Sequence, residues 1–223
     1  MSPVRRPPRR AQAGLVRGCC LGLLLLVGLL VATVILGQKV LAAPDLGAAP
    51  RGPAHGSSEA LIAATLAGSA ASQLLSSEHA SVIFSERDLT VIAAARNPSP
   101  NRFRNPQARV RDGYIVVSAN TDAGPFGVTA VARFTLVVAS TSAGTQLTAH
   151  VVDISVGQLG VPGFIADRFD PRGADTLNLT TVFASNPALE ALSQSLDCAA
   201  VRSDGLHVGF HRPGVNATAV TCS

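Results

Sequence analysis

Twenty consecutive residues, "GCCLGLLLLVGLLVATVILG" from Gly18 to Gly37, carry no charge. At 1.5 Å of rise per residue such a run makes a helix of about 30 Å, the thickness of a bilayer's hydrocarbon core. Arg5, Arg6, Arg9, Arg10 and Arg17 precede it, and only Lys39 follows it closely. The positive-inside rule then predicts a cytoplasmic N-terminus, with everything beyond about residue 43 outside the cytoplasm. A cleaved signal peptide is the competing reading, since "VLAAP" offers Val40 and Ala42 before a cut. Its apolar region would run only about 7–15 residues. Cys19 and Cys20 stand before the leucine run, where a lipidated cysteine would follow it, so they read as ordinary residues of the helix.

The net charge of +4 suggests nucleic acid at first sight, but the basic residues crowd the first seventeen positions. The remainder is close to neutral, whereas a phosphate-binding domain gathers its cations on the folded surface. No nucleic-acid partner is expected. Four regions follow: residues 1–17 as a basic cytoplasmic segment, 18–37 as a transmembrane helix, 38–57 as a Pro/Gly/Ala-rich tether, and 58–223 as an extracytoplasmic domain.

Within that domain Ser58 is placed to cap a helix running to about Leu75, with Leu61, Ile62, Thr65, Leu66 and Ser69 on one side. "SVIF" reads as a short strand, and Ser85 with Asp88 forms a capping box for a helix that "NPSPN" stops. A long strand follows, in which Val128, Ala130, Ala132, Phe134, Leu136 and Val138 share one face. In the returning strand the apolar parity changes from Leu147, Ala149 and Val151 to Val152, Ile154 and Val156, which requires a bulge or burial on both faces. Asn186 and Pro187 predict another helix, with Leu189, Leu192 and Leu196 on its stripe and Cys198 closing it.

Two stretches, "ARVRDGYIVVSA" from Ala108 and "AAVRSDGLHVGF" from Ala199, place Val-Arg before Asp-Gly and then alternate apolar residues. Each reads as a hairpin by its turn chemistry. They are expected either as edge hairpins of one antiparallel sheet or as a repeated helix-plus-hairpin unit that curves the sheet.

Catalytic constellations are not legible. His207 and His211 have zinc-like spacing on a helix, but here they alternate along a strand, where four residues span roughly 13 Å. They read as solvated, outward-facing side chains. His150 and Asp153 differ in strand parity and point to opposite faces. "GVPG" and "GPFG" lack a phosphate-cradling pattern. No metal, no cofactor and no enzymatic activity are expected.

Cys198 and Cys222 are the two cysteines beyond the apolar run, in a compartment that permits disulfides. A bridge between them is expected, with two buried thiols as the alternative. Two apolar loop sequences remain: "DAGPFG" places Phe126 at a hairpin tip, and "VGQLGVPGFIADRF" places Val161, Phe164, Ile165 and Phe169 where a strand ends. They either fold back as core or form a mouth for an apolar ligand.

The order of parts (one N-terminal apolar helix, a tether, "FSERDLTVIAAA", a D-G hairpin, long strands and "VVDISVGQLGVPGF") resembles the YpmS-like membrane-anchored extracytoplasmic proteins of bacteria, and more distantly curved-sheet lipid-binding modules. The resemblance covers about residues 15–170. It implies an α+β fold in which a curved antiparallel sheet packs on short helices, and non-catalytic binding of membrane lipid or another apolar envelope molecule. The alternative is an interaction module with a closed core, serving a partner membrane protein. A cavity continuous with the surface would favour the first, and a filled sheet–helix interface the second.

Overall fold

The computed structural model describes residues 12–97, 99–141, 144–161, 176–178, 194–215 and 222. The expected helix 186–196 and the loop residues Phe164, Ile165 and Phe169 lie outside them, apart from the end of that helix. There Leu196 and Cys198 belong to a strand, so the helical stripe does not extend through them. The fold is α+β with antiparallel sheets and three helices among the described residues.

The chain begins with α1 (Gln12–Leu41), then α2 (Glu59–Ser76), β1 (His79–Phe84) and α3 (Glu86–Ala95). Strands β2 (Arg104–Arg111), β3 (Tyr114–Ala123), β4 (Phe126–Thr141), β5 (Gly144–Val156) and β6 (Leu159–Gly160) form an antiparallel meander, with β7 (Thr176–Asn178) beside β5. The last hairpin, β8 (Leu196–Arg202) and β9 (Gly205–His211), pairs with β1 in a separate three-stranded sheet of order β1-β9-β8. The two Val-Arg–Asp-Gly hairpins therefore belong to two sheets, not to one. The cause is cross-strand pairing at long range: Ala80, Val82 and Phe84 face Phe210, Val208 and Leu206, and all six are buried.

Local chemistry sets the element ends. Asp112-Gly113 turns β2 into β3, and Gly113 takes φ +84°, which its missing Cβ permits. Ser58 caps α2 through the Leu61 N–H at 3.3 Å. The buried stripe of α2 is Ile62, Ala63, Leu66, Ala67 and Ala70, whereas Leu61 is half exposed, so the helix is rotated from the expected face. Alanines allow its backbone to approach closely, and that side wins over the one bearing Leu61. Ile62, Leu66 and Ala70 pack with Phe84, Val208 and Phe210, and with Ile115 and Leu147 from the large sheet, in one closed cluster. Burying a side chain of Leu, Ile or Phe size stabilises by about 1.5–3 kcal/mol.

The parity change in the return strand is a bulge. Arg133 pairs with Asp153 and Phe134 with Val151, which leaves Val152 unpaired and 62% exposed. The bulge puts Leu147 and Ala149 on the buried core side and moves Asp153 and Ser155 beside Arg133 and Val131 on the opposite face.

Helix α1 ends against this sheet. The Gln158 N–H donates to the Lys39 carbonyl at 2.8 Å, and Gly157 N–H donates to Thr129 at 2.7 Å. Gly157 has φ +60°, and a Cβ there would stand 2.1 Å from the Val40 carbonyl oxygen. Gly157→Ala is therefore expected to cost about 1–2 kcal/mol and to release the end of α1. Thermal unfolding and faster hydrogen exchange at the Gln158 amide would measure this; unchanged exchange would mean that α1 is not held there. Among the described residues no helix is long and apolar enough to cross a membrane.

Candidate functional site

The Pro/Gly/Ala-rich residues 44–57 contain no helix or strand, yet they run as a strap hydrogen-bonded to the domain. Two buried carboxylates in the first turn of α3 hold its second half. Glu86 accepts the Arg51 N–H at 2.7 Å and the Val110 N–H at 2.9 Å, with the Arg51 guanidinium at 3.5 Å. Asp88 accepts the His55 N–H at 2.8 Å and contacts His55 Nδ1 at 2.6 Å. It also closes the expected capping box, accepting the Ser85 N–H at 3.0 Å while its own N–H donates to Ser85 Oγ at 3.1 Å. Burial alone would raise the Glu86 pKa, but the Val110 and Arg51 amides and the Arg51 guanidinium bring it below its ordinary value.

Two arginines of β2 hold the first half of the strap. Arg109 is 5% exposed, and its Nε donates to the Ala48 carbonyl at 2.8 Å. Arg111 Nη2 donates to the Leu46 carbonyl at 2.8 Å, with Nη1 at 3.6 Å from Glu86. Burial lowers the Arg109 pKa from its ordinary value; the Glu86 charge opposes the shift and Arg111 reinforces it. The guanidinium stays charged. Glu86 offsets part of the positive charge of these arginines beneath the strap, and the crossing Leu46 and Ala48 carbonyls find donors there.

Where residues 44–46 cross the sheet they leave a groove of about 410 Å³. Its floor includes Val116 and Val131; Arg111, Tyr114, Arg133 and Asp153 line it, and Gln158 stands at the α1 end. The Arg133 guanidinium lies 5.9 Å from the centre of the Tyr114 ring and 3.8 Å from the Asp153 carboxylate. At 3.8 Å no hydrogen bond forms. Arg133 is half exposed, and among the described residues its donors have no hydrogen-bond acceptor. A second, wider groove of about 570 Å³ lies between the strap and α3, beside His55, Arg87 and Val91.

Of the loop residues singled out from sequence, Phe126 begins β4 at the tip of the β3–β4 hairpin and is 55% exposed. Val161 is half-buried, its N–H donating to the Ile154 carbonyl at 2.8 Å. Ile154 pairs with Ala132, six residues along β4 from Phe126, so the two stand about 20 Å apart along the strand. The structure does not bring them together. The groove residues were missed because their signal lies in register across strands, which the chain order hides.

His207 and His211 are not solvated side chains. His207 Nε2 meets Asp204 at 2.8 Å, and this contact lowers the Asp204 pKa. His211 Nδ1 meets the buried Asp197 carboxylate at 2.5 Å. A strand next to a carboxylate supplies each imidazole with a partner, which sequence parity alone does not reveal. Among the described residues no His, Cys, Asp and Glu cluster has the geometry of a metal site. Cys198 and Cys222 are bridged, with Cα atoms 5.8 Å apart. No protein-family model, curated protein or solved structure matches the chain.

Proposed function

We propose that this chain is a single-pass, membrane-anchored extracytoplasmic binding protein without catalytic activity. It takes lipid or another apolar envelope molecule at the surface of its domain. The observation that carries this reading is the condition of α1. Leu29, Leu30 and Ile35 are 72%, 59% and 49% exposed, while the end of the same helix is hydrogen-bonded to the sheet. An apolar helix left bare by its own domain is suited to lipid. The uncharged run Gly18–Gly37 and the preceding arginines support an anchor with its N-terminus in the cytoplasm.

On this reading the ligand lies outside the closed cluster between α2 and the sheets. That closure also favours the second reading, an interaction module serving a partner membrane protein. A reporter fused after Ser223 is expected to be active only outside the cytoplasm, and cytoplasmic activity would overturn the anchor. Lipid extraction and mass spectrometry then separate the two readings. Phe126→Asp should change stability by no more than about 0.5 kcal/mol, because the side chain is exposed, and should reduce co-purified lipid. Unchanged lipid content in the folded variant moves the ligand away from the hairpin tip, and protein purified free of lipid supports the partner reading.

A further inference from the structure

We infer that the groove under the strap binds the head group of an anionic, hydroxyl-bearing phosphodiester lipid, with Arg133 as the phosphate hook. The inference rests on the membrane-anchored reading, and it adds the ligand's chemistry and its residues. The groove lies where the bilayer surface would be. Its strap wall begins at Pro44, three residues beyond the end of α1 at Leu41, a span of at most about 10 Å. Gln158 lines it beside that wall, its N–H on the Lys39 carbonyl of the same helix and its Nε2 on the Ala43 carbonyl at 3.3 Å. A lipid beside α1 therefore presents its head group to the groove while its chains stay along the exposed leucines.

The chemistry of the walls selects the head group. Arg133 carries a planar set of donors with no acceptor among the described residues, held over Tyr114 and too far from Asp153 to hydrogen-bond. A phosphodiester takes such a guanidinium in bidentate fashion. The charged lining residues are Arg111 and Arg133 against Asp45 and Asp153, and Arg111 is already engaged by the Leu46 carbonyl and Glu86, so an anionic phosphate has Arg133 to meet. Asp45 is partly engaged by the Gly47 N–H at 3.0 Å. Asp153, 40% exposed at its side chain, would repel a bare phosphate but accepts hydrogen bonds from the hydroxyls of a glycerol-type head group. A volume of about 410 Å³ falls at the small end of the range for small-molecule sites.

Tyr114 is the chain's single tyrosine and there is no tryptophan, so tyrosine emission reports this groove directly. The full chain in dodecyl maltoside micelles is titrated with dihexanoyl phosphatidylglycerol, and separately with glycerophosphoglycerol, the same head group without chains. A saturable change with the lipid is expected. It should weaken at least about tenfold in Arg133→Ala, as for loss of a charge-assisted contact, and stay unchanged in Arg104→Ala, whose arginine pairs with Asp122 outside the groove. The head group alone should bind at least tenfold more weakly than the lipid. Equal titration of Arg133→Ala and wild type overturns the inference. Equal binding of glycerophosphoglycerol and the lipid overturns the lipid assignment and makes a soluble phosphodiester the ligand. Alkaline carbonate extraction keeps the two readings separate. A chain retained in membranes but without titration leaves the anchor standing and removes the groove, and a released chain removes the anchor.

Discussion

Glu86→Ala is expected to destabilise the domain by about 3–5 kcal/mol, the range for breaking a buried charged network by removing one partner. Glu86 is 1% exposed, yet its carboxylate joins three separate pieces of chain: the strap at Arg51, strand β2 at Val110 and helix α3 itself. Truncation leaves the Val110 and Arg51 amides without acceptors and removes the anion beside Arg109 and Arg111. Glu86→Gln retains one acceptor oxygen and should cost less, so the difference between the variants isolates the charge. The pH dependence has a definite sign. The folded-state pKa of Glu86 is depressed, so its contribution is fully present above the ordinary carboxylate value and is lost as pH falls through the lowered one. Denaturant unfolding of wild type and Glu86→Gln between pH 7 and pH 2 should show a steeper acid loss in wild type. Equal midpoints for wild type and Glu86→Ala at pH 7 would mean that the strap is held without this carboxylate.

The strap explains what the sequence left hidden. Elements with their own local chemistry were legible: the Ser85–Asp88 capping box, the Asp112-Gly113 turn, the alternation of β4 and the bulge at Val152. Each depends on residues within a few positions of one another. Residues 44–57 have no periodicity, because they use backbone groups rather than an apolar face to bind the domain. Their partners Glu86 and Asp88 lie more than thirty residues away. Two acids in one helical first turn, followed by Arg109 and Arg111 two apart on a strand, were the available signal, but nothing local ties those four residues to one segment of backbone. The separate second sheet was hidden for the same reason. The cross-strand pairs of β1 and β9 join residues at opposite ends of the domain, and nothing local distinguishes such a pairing from a longer meander. The groove inherits both difficulties, since one wall is strap and its floor is cross-strand register.

The remaining large effect concerns the Cys198–Cys222 bridge. Cys198 sits in β8 opposite Gly209, and Cys222 lies 24 residues further along the chain, past the whole β8–β9 hairpin. Cross-linking a loop of this length restricts the unfolded chain by roughly 3–4 kcal/mol in the chain-entropy description. For a domain of this size that corresponds to a fall in Tm of roughly 10 °C on Cys198→Ser. Arg202 adds a second tie, its Nη2 donating to the Cys222 carbonyl at 2.6 Å. Loss of the bridge should therefore release the segment after β9 before it loosens the β1–β9 pairing. Peptide mapping under non-reducing conditions should recover the two cysteines as one linked pair, and hydrogen exchange should rise first around residue 222. Reduced wild type, Cys198→Ser and the double serine variant should unfold at the same temperature, because all three remove one constraint from the same unfolded ensemble. If reduced wild type kept its Tm while Cys198→Ser lost it, the cost would lie in seating a hydroxyl in β8, and the covalent link would contribute little to stability.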